Sequence, residues 1–311
     1  MADIDEKRAA AEEKRVKRRR AGKPAKEKKE KSGLGKKIAT AVLAALIILI
    51  GYLTIATIIG NNTLQKTFYQ VKSNKVTDNI RVICIADQHL KEFGANNETL
   101  IHEIGKLKPD IIAIPGDMNI ESQPDNYSSI VDECKELNKI APVYYSLGNH
   151  EIDAMLFSGS NIYKDVKAAG IKIFNNEKET ITLGSTSIDI IGLTQRPDEY
   201  EKYGKEFFED AMGATDNFKL VLTHYPENFM GTLDDYPIDL ALAGHAHGGQ
   251  IRLPWIGGLY AADQGFFPSL CDGYNEIGNS RLIITRGLGT SGWMPRINNK
   301  PEIAVIDIGW Y

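Results

Sequence analysis

Charge disappears from the chain between residues 38 and 60, twenty-three positions dominated by Ile, Leu, Val and Ala. A helix needs about 20 apolar residues to cross the hydrocarbon core of a bilayer, so the run predicts one transmembrane helix. The apolar region of a cleaved signal peptide spans only ~7–15 residues and ends at a small-residue site. This run is longer and no such site follows it, so it reads as an uncleaved anchor. Residues 61–79 are polar and lack strong periodicity, a stalk or an edge extension. From Ile80 onward short apolar runs alternate with stretches of helical spacing. Residues 96–107 place Leu100, Ile101, Ile104 and Leu107 on one helical face, and Pro109 closes the segment. Residues 127–139, 161–169 and 199–212 predict further helices. Strands are predicted at 81–86, 110–115, 142–147, 171–174, 180–183, 187–193, 218–223, 238–243, 281–285 and 303–308. The expected fold class is α/β over residues 80–311, with two sheets packed face to face and helices outside. No internal repeat is present, and no linker interrupts this stretch, so one domain is expected.

Charge is divided as sharply as hydrophobicity. Residues 1–37 hold 15 Lys and Arg against 7 Asp and Glu, whereas the remainder holds 22 against 34. Lys31, Lys36 and Lys37 precede the span, and only scattered lysines (Lys66, Lys72, Lys75) follow it. The positive-inside rule then predicts a single-pass protein of the cell membrane, with a cytoplasmic N-terminus and residues 80–311 outside the cytoplasm. The basic tail lacks interleaved aromatic residues and abuts a membrane span. Anionic lipid headgroups are therefore its expected partner, at about 1 kcal/mol per basic residue near the surface, and nucleic acid is not. Three cysteines (Cys84, Cys134, Cys271) make no disulfide framework, and Cys84 sits in an apolar strand as a small core residue.

Five of the apolar runs end in residues that ligate metals. Residues 81–86 lead into Asp87-Gln88-His89, and residues 110–115 into Gly116-Asp117. Residues 142–147 lead into Gly148-Asn149-His150-Glu151, residues 218–223 into His224, and residues 238–243 into Gly244-His245-Ala246-His247. An open α/β sheet carries its site at such strand ends. Of six histidines only His102 lies elsewhere, in a helical stretch where a surface or packing role is expected. Gly287-Leu288-Gly289-Thr290-Ser291-Gly292 fits a dinucleotide-binding glycine pattern, but Pro295 interrupts the helix that pattern needs. A loop passing close to the metal centre is the better expectation.

This ordered set resembles the calcineurin-like metallophosphoesterase superfamily over about residues 80–311. The tail from Gly244 to Pro254, with Arg286 to Gly289 and Pro295 to Asn299, is similar to its bacterial membrane-associated branch, some members of which act on lipid-linked sugar nucleotides. The resemblance implies a four-layer sandwich and two divalent metal ions (Mn, Zn, Fe or Co). It implies Asp87, His89 and His247 on one ion, Asn149, His224 and His245 on the other, and Asp117 bridging them. His150 is implied as the catalytic residue beside them, with Glu151 as support. Met118-Asn119-Ile120 departs from the family pattern, in which an acidic residue often follows the Gly-Asp pair.

Phosphoester hydrolysis needs charge neutralisation at the phosphoryl group and a nucleophile better than water, and two divalent ions about 3.5–4 Å apart supply both. Mixed nitrogen and oxygen donors without thiolate suit the metals named. Arg252, Arg286, Arg296 and Gln250 are candidate substrate contacts or ion-pair partners. The expected function is a membrane-anchored hydrolase of phosphoester or pyrophosphate bonds, with a lipid-linked or cell-envelope phosphoester as substrate. A catalytically silent metal-binding scaffold of the same fold is the alternative, though it has no evident need for His150.

Overall fold

The computed structural model describes residues 2–20, 24–290, 292 and 294–309; residues 21–23 of the basic tail and Ser291 of the glycine-rich loop lie outside them. The chain divides into two compact units, Met1–Ile55 and Ala56–Tyr311. The first contains helix α1 (Ala2–Arg20) and most of helix α2 (Pro24–Asn62). Within α2, Leu34–Asn62 is 29 residues long and apolar enough to cross a membrane. Its apolar side chains, among them Ile38, Leu43, Ile47, Ile48 and Ile55, are exposed. The predicted span, residues 38–60, lies within this stretch.

The second unit contains strands β1 (Gln65–Lys72), β2 (Ile80–Cys84), β3 (Ile111–Pro115), β4 (Val143–Ser146), β5 (Lys172–Phe174), β6 (Glu177–Leu183), β7 (Thr186–Leu193), β8 (Phe218–Thr223) and β9 (Leu240–Ala243). Four two-residue strands follow: β10 (Arg252–Leu253), β11 (Gly257–Gly258), β12 (Tyr260–Ala261) and β13 (Gly265–Phe266). Strands β14 (Gly273–Ile277), β15 (Ser280–Ile284) and β16 (Glu302–Gly309) complete it. Helices α3 (Glu98–Gly105), α4 (Ser128–Asn138), α5 (Asn149–Ser158), α6 (Ile162–Ala168), α7 (Pro197–Tyr203) and α8 (Lys205–Gly213) lie between the strands along the chain.

Two six-stranded mixed sheets result, ordered β1-β16-β2-β3-β4-β5 and β14-β15-β9-β8-β7-β6. Strands β2 to β5 run parallel in the first, and β15, β9, β8 and β7 run parallel in the second. Side chains alternate across each strand, which sorts them into three apolar layers. Val82 and Cys84 of β2 join Leu220, Leu222 and Leu242 between the sheets. Ile83 and Ile85 point the other way, among Leu100, Ile104, Ile130 and Leu137 of α3 and α4. On the far side, Val221 and Ala241 pack with Tyr200 and Phe208 of α7 and α8. The predicted α/β sandwich of two sheets flanked by helices is the observed fold. Parallel strands buried on both faces read as continuous apolar runs, which is why β3 and β8 were legible.

One open expectation is decided and two change. Residues 65–72, within the stretch expected to be a stalk or an edge extension, form the edge strand β1, paired with β16 from Gln65↔Glu302 to Lys72↔Gly309. Its outward face is polar or exposed, so it lacks the apolar signal of a central strand. The single helix predicted at 199–212 is two, because the chain turns at Gly204. A Cβ there would lie 3.1 Å from both Gln195 Oε1 and Tyr200 Cδ2. Residues 149–158, read only as ligand-bearing loop, continue as α5. All three cysteines are free and buried.

One ion pair is fully enclosed. Lys219 Nζ lies 2.6 Å from Asp189 Oδ2, and both side chains are buried. Burial works to raise the Asp189 pKa, but hydrogen bonds from Lys219, Thr215, Asn217 and Thr180 outweigh it and hold the carboxyl below its ordinary range. Lys219→Met strands that carboxylate and should destabilise the fold by about 3–5 kcal/mol, read from the urea midpoint. Because the folded pKa is depressed, the Asp189 contribution is complete above an unfolded pKa of about 3.9 and is lost as pH falls below it. Unfolding curves of Asp189→Asn should therefore lack part of the wild-type loss of stability below about pH 4.

Candidate metal centre

The parallel strands all point their carboxyl ends toward one edge of the sandwich, and the ligand-type residues sit immediately beyond those ends. Asp87 and His89 follow β2, Asp117 follows β3, Asn149 and His150 open α5 after β4, His224 follows β8, and His245 and His247 follow β9. Turning a side chain back over a strand end requires unusual backbone. Asp87, His89, Asp117, His245 and His247 all have positive φ, between 49° and 66°. Such left-handed residues are uncommon outside glycine and cluster at functional sites. The loops also approach closely: a Cβ on Gly148 would lie 2.2 Å from Asp117 Oδ1. Only glycine fits there.

Asp87, His89, Asp117, His150, His224, His245 and His247 come together. Asp87, His89 and His247 offer three donor atoms within one small sphere, and Asp117, His224 and His245 form another. Asp117 is near both, its Oδ2 lying 3.1 Å from His224 Nε2 and 3.9 Å from His89 Nε2. His89 Nε2 and His247 Nε2 face each other at 3.1 Å. His89, Asp117 and His150 form a third close group. Asp87 Oδ2 and Asn149 Oδ1 are buried and lack a hydrogen-bond partner, a costly arrangement unless a cation completes it. The donor set therefore fits hard or borderline divalent ions.

The surroundings select the tautomers. His89 Nδ1 lies 3.2 Å from the Asn119 carbonyl, and His224 Nδ1 lies 2.8 Å from the Pro115 carbonyl. A carbonyl accepts only, so each Nδ1 carries the proton and each Nε2 presents a lone pair inward. On His245 the roles reverse, because Nε2 lies 3.0 Å from Asp263 Oδ2 and Nδ1 faces His224. Such outer partners set both orientation and basicity of a ligating imidazole. His102, by contrast, is exposed on α3.

Burial dominates the electrostatics. It pushes Asp87 up to about 6, with Asp117 adding to the rise and the His224 side opposing it. It pushes His89 down to about 4, only partly offset by Asp117. His247 also falls, through burial and the neighbouring His89. For His224 burial works downward, but Asp117 prevails and the imidazole is raised. Asp117 is held well below its usual range because His224, His150 and His89 outweigh its own burial.

Glu151 ties the loops together. Its Oε2 accepts from the Asp117 and Gly148 amides and its Oε1 from the Asn119 amide and the Tyr145 hydroxyl, all at 2.8–2.9 Å. Asn119, where the sequence departs from the family pattern, contributes its backbone on both sides, to Glu151 and to His89. The glycine-rich loop crosses the same edge, with Leu288 and Gly289 amides donating to the Ala86 and Asp87 carbonyls.

The candidate substrate arginines bond to protein groups, though Arg286 Nε and Arg296 Nη1 are buried without a hydrogen-bond partner. Arg296 is buried and donates to the Gly289 and Arg286 carbonyls. Arg286 pairs with Glu302 at 3.2 Å, and Arg252 with Asp272 at 2.9 Å. Gln250 is buried with φ 56° and its carbonyl accepts from Asn299. Three neighbours escaped the sequence reading: Asp263, Tyr225 and Arg196. The Tyr225 ring lies 4.9 Å from His245, and its hydroxyl accepts from Arg196 at 3.2 Å. Tyr225 directly follows His224 and Arg196 lies three residues past β7, but neither is a metal-ligand type, and Asp263 lies in the turn between β12 and β13, so the motifs read along the chain did not mark them.

A sandwich with carboxylates, imidazoles and an amide oxygen buried at its strand ends is the architecture of a metal-dependent hydrolase. The calcineurin-like phosphoesterase family matches residues 80–249, more than half of the chain. The chain belongs to that family and is a metal-dependent phosphoester hydrolase. It is 28% identical over 257 residues to the metallophosphoesterase YkuE of Bacillus subtilis, covering 79% of this chain and 85% of that one. It is 26% identical to the phosphodiesterase YaeI of Escherichia coli, over 73% of this chain and 82% of that one. The UDP-2,3-diacylglucosamine pyrophosphatase LpxG of Chlamydia muridarum is 23% identical, over 73% and 83%.

Replacing Glu151 by Ala orphans three buried amides and the Tyr145 hydroxyl. The expected loss is about 4 kcal/mol or more, at about 1–3 kcal/mol for each of the four unsatisfied groups. Thermal unfolding and metal titration should show it together, since the same loops carry Asp117 and Asn149.

Proposed function

We propose that the chain is a single-pass, membrane-anchored phosphoesterase with two divalent ions, cleaving phosphodiester or pyrophosphate bonds of lipid-linked or cell-envelope molecules. The observation that carries this reading is Asp117, one carboxylate within reach of two separate groups of donors. Asp87, His89 and His247 would hold one ion, Asn149, His224 and His245 the other, with Asp117 shared. When bound, the ions would supply positive charge to the phosphoryl oxygens and a more acidic water.

His150 is assigned the proton. Its Nδ1 accepts from the Glu121 amide at 3.2 Å, so the neutral ring carries its proton on Nε2. That nitrogen faces the site, 3.8 Å from Asp117 Oδ2. In its charged form, with the second proton on Nδ1, the ring gives its Nε2 proton to the leaving oxygen and returns to neutral, a role worth about 10²–10⁴-fold in rate. Glu121 Oε2, 3.4 Å from Nδ1, stabilises the ring whenever it is charged. The α5 N-terminus and its amides face the same place, and the His150 amide donates to Asp117 Oδ1 at 3.0 Å.

The apolar helix, its exposed side chains and the lysines before it support an anchor with the basic tail in the cytoplasm against anionic headgroups, and the catalytic unit outside. The diester and pyrophosphate activities named for YaeI and LpxG support the bond type.

Elemental analysis should find about two metals per chain, with Mn²⁺-stimulated hydrolysis of bis-p-nitrophenyl phosphate. Asp117→Ala should abolish turnover and lower metal content. His150→Ala should lose about 10²–10⁴ in kcat while keeping both metals; loss of a metal would make it a ligand instead. Bound metal with no turnover of any phosphoester would favour the silent scaffold. In intact cells, an impermeant maleimide should label Asp216→Cys and spare Lys14→Cys, and the reverse pattern would invert the topology.

A further inference from the structure

Between Arg252 and Asp272 lie nineteen residues with a single charge, Asp263. They form two small antiparallel hairpins, β10–β11 and β12–β13. Trp255, at the turn of the first, is fully exposed, and Ile256 beside it is 64% exposed. Phe266 and Phe267 of the second are 71% and 60% exposed. Four large apolar side chains held in water on a segment with a single charge mark a contact surface.

The hairpins connect two places. At one end, the turn of the second hairpin reaches the metal centre through the Asp263–His245 hydrogen bond. At the other, the first hairpin grows from the end of the apolar helix. Asn61 Nδ2 donates to the Arg296 carbonyl at 3.1 Å, and Lys91 Nζ donates to the Asn61 carbonyl. Ile297, next along from Arg296, bridges Ile251, and the Arg252 amide donates to the Ile297 carbonyl at 2.9 Å. Trp255 lies three residues beyond Arg252, roughly 10 Å at strand spacing. Only Thr63 and Leu64 separate α2 from β1.

We infer that the double hairpin is a membrane-docking element: Trp255, Ile256, Phe266 and Phe267 enter the interface of the bilayer that α2 crosses and present the metal centre to phosphoester headgroups of amphiphiles lying in it. The inference rests on the anchored phosphoesterase proposed above. A bilayer is the occupant because the first hairpin is linked, through Ile297 and Arg296, to Asn61 at the end of α2. Aromatic side chains favour that depth, where the ring is apolar and its edge remains wet. An amphiphile held there need not leave the membrane to reach the site, since Asp263 belongs to the same element.

The test uses the full chain in vesicles of phosphatidylcholine and phosphatidylglycerol, with Trp293→Phe and Trp310→Phe leaving Trp255 as the only tryptophan of three. Flotation comes first, and a protein that does not float overturns the anchor and this inference with it. In floated vesicles, brominated acyl chains should quench Trp255 and its emission should be blue-shifted. Floated protein whose Trp255 is quenched by aqueous iodide and not by bromolipid overturns the inference and leaves the anchor standing. The second measurement uses Trp255→Ser, Ile256→Ser, Phe266→Ser and Phe267→Ser combined. Turnover of soluble bis-p-nitrophenyl phosphate should stay within twofold, while hydrolysis of a vesicle-borne long-chain alkyl p-nitrophenyl phosphate falls at least tenfold. Equal rates on the vesicle-borne ester, or an equal loss on both substrates, would sink the substrate half of the inference.

Discussion

Four hydrogen bonds to one buried carboxylate hold the catalytic edge in shape. Glu151 receives the amides of Asp117, Asn119 and Gly148 and the hydroxyl of Tyr145, so it joins the loops after β3 and β4 to the start of α5. Those loops carry Asp117, Asn149 and His150. Without a partner of this kind the amides would be buried and unsatisfied, and the left-handed backbone at Asp117 would have nothing to oppose its strain. Glycine at 148 allows the loops to meet at all, because Asp117 occupies the space of a side chain there.

The site is built to be incomplete without cations. Two carboxylates, four imidazoles and a neutral amide oxygen are gathered in a buried pocket where each charge loses its hydration. The opposed shifts of Asp87 upward and His89 downward are the signature of that loss. Outer partners at Pro115, Asn119 and Asp263 choose which nitrogen of each ring faces inward. Ligand direction is thus decided by backbone carbonyls and one distant carboxylate, and the histidines themselves supply only the donor atoms.

The arginines show how occupancy distinguishes roles that residue type cannot. A guanidinium near a phosphoester site invites assignment to substrate, yet Arg296, Arg286 and Arg252 hold the strands and loops beneath the centre. Arg296 in particular joins the glycine-rich loop, the strand β15 exit and the end of the apolar helix. Arg196, reached from the β7 exit and bound to Tyr225, is the guanidinium whose surroundings remain those of the site.

Much of this was legible in the chain itself. Parallel strands buried on both faces appear as unbroken apolar runs, and each run that ended in Asp, Asn or His marked one wall of the site, which is how all eight residues from Asp87 to His247 were named. A helix long and apolar enough to cross a membrane is likewise a matter of composition and length, both local properties. For the edge strand β1 the sequence left a stalk and an edge extension open, because a strand with one wet face and one neighbour has a weak apolar pattern, and its partner β16 lies over 200 residues away. The break at Gly204, the hub at Glu151, the Asp263 contact and the ion pairs of the arginines were out of reach. Each depends on which atoms meet across the fold, and that is decided by packing and buried hydrogen bonds between segments far apart in the chain.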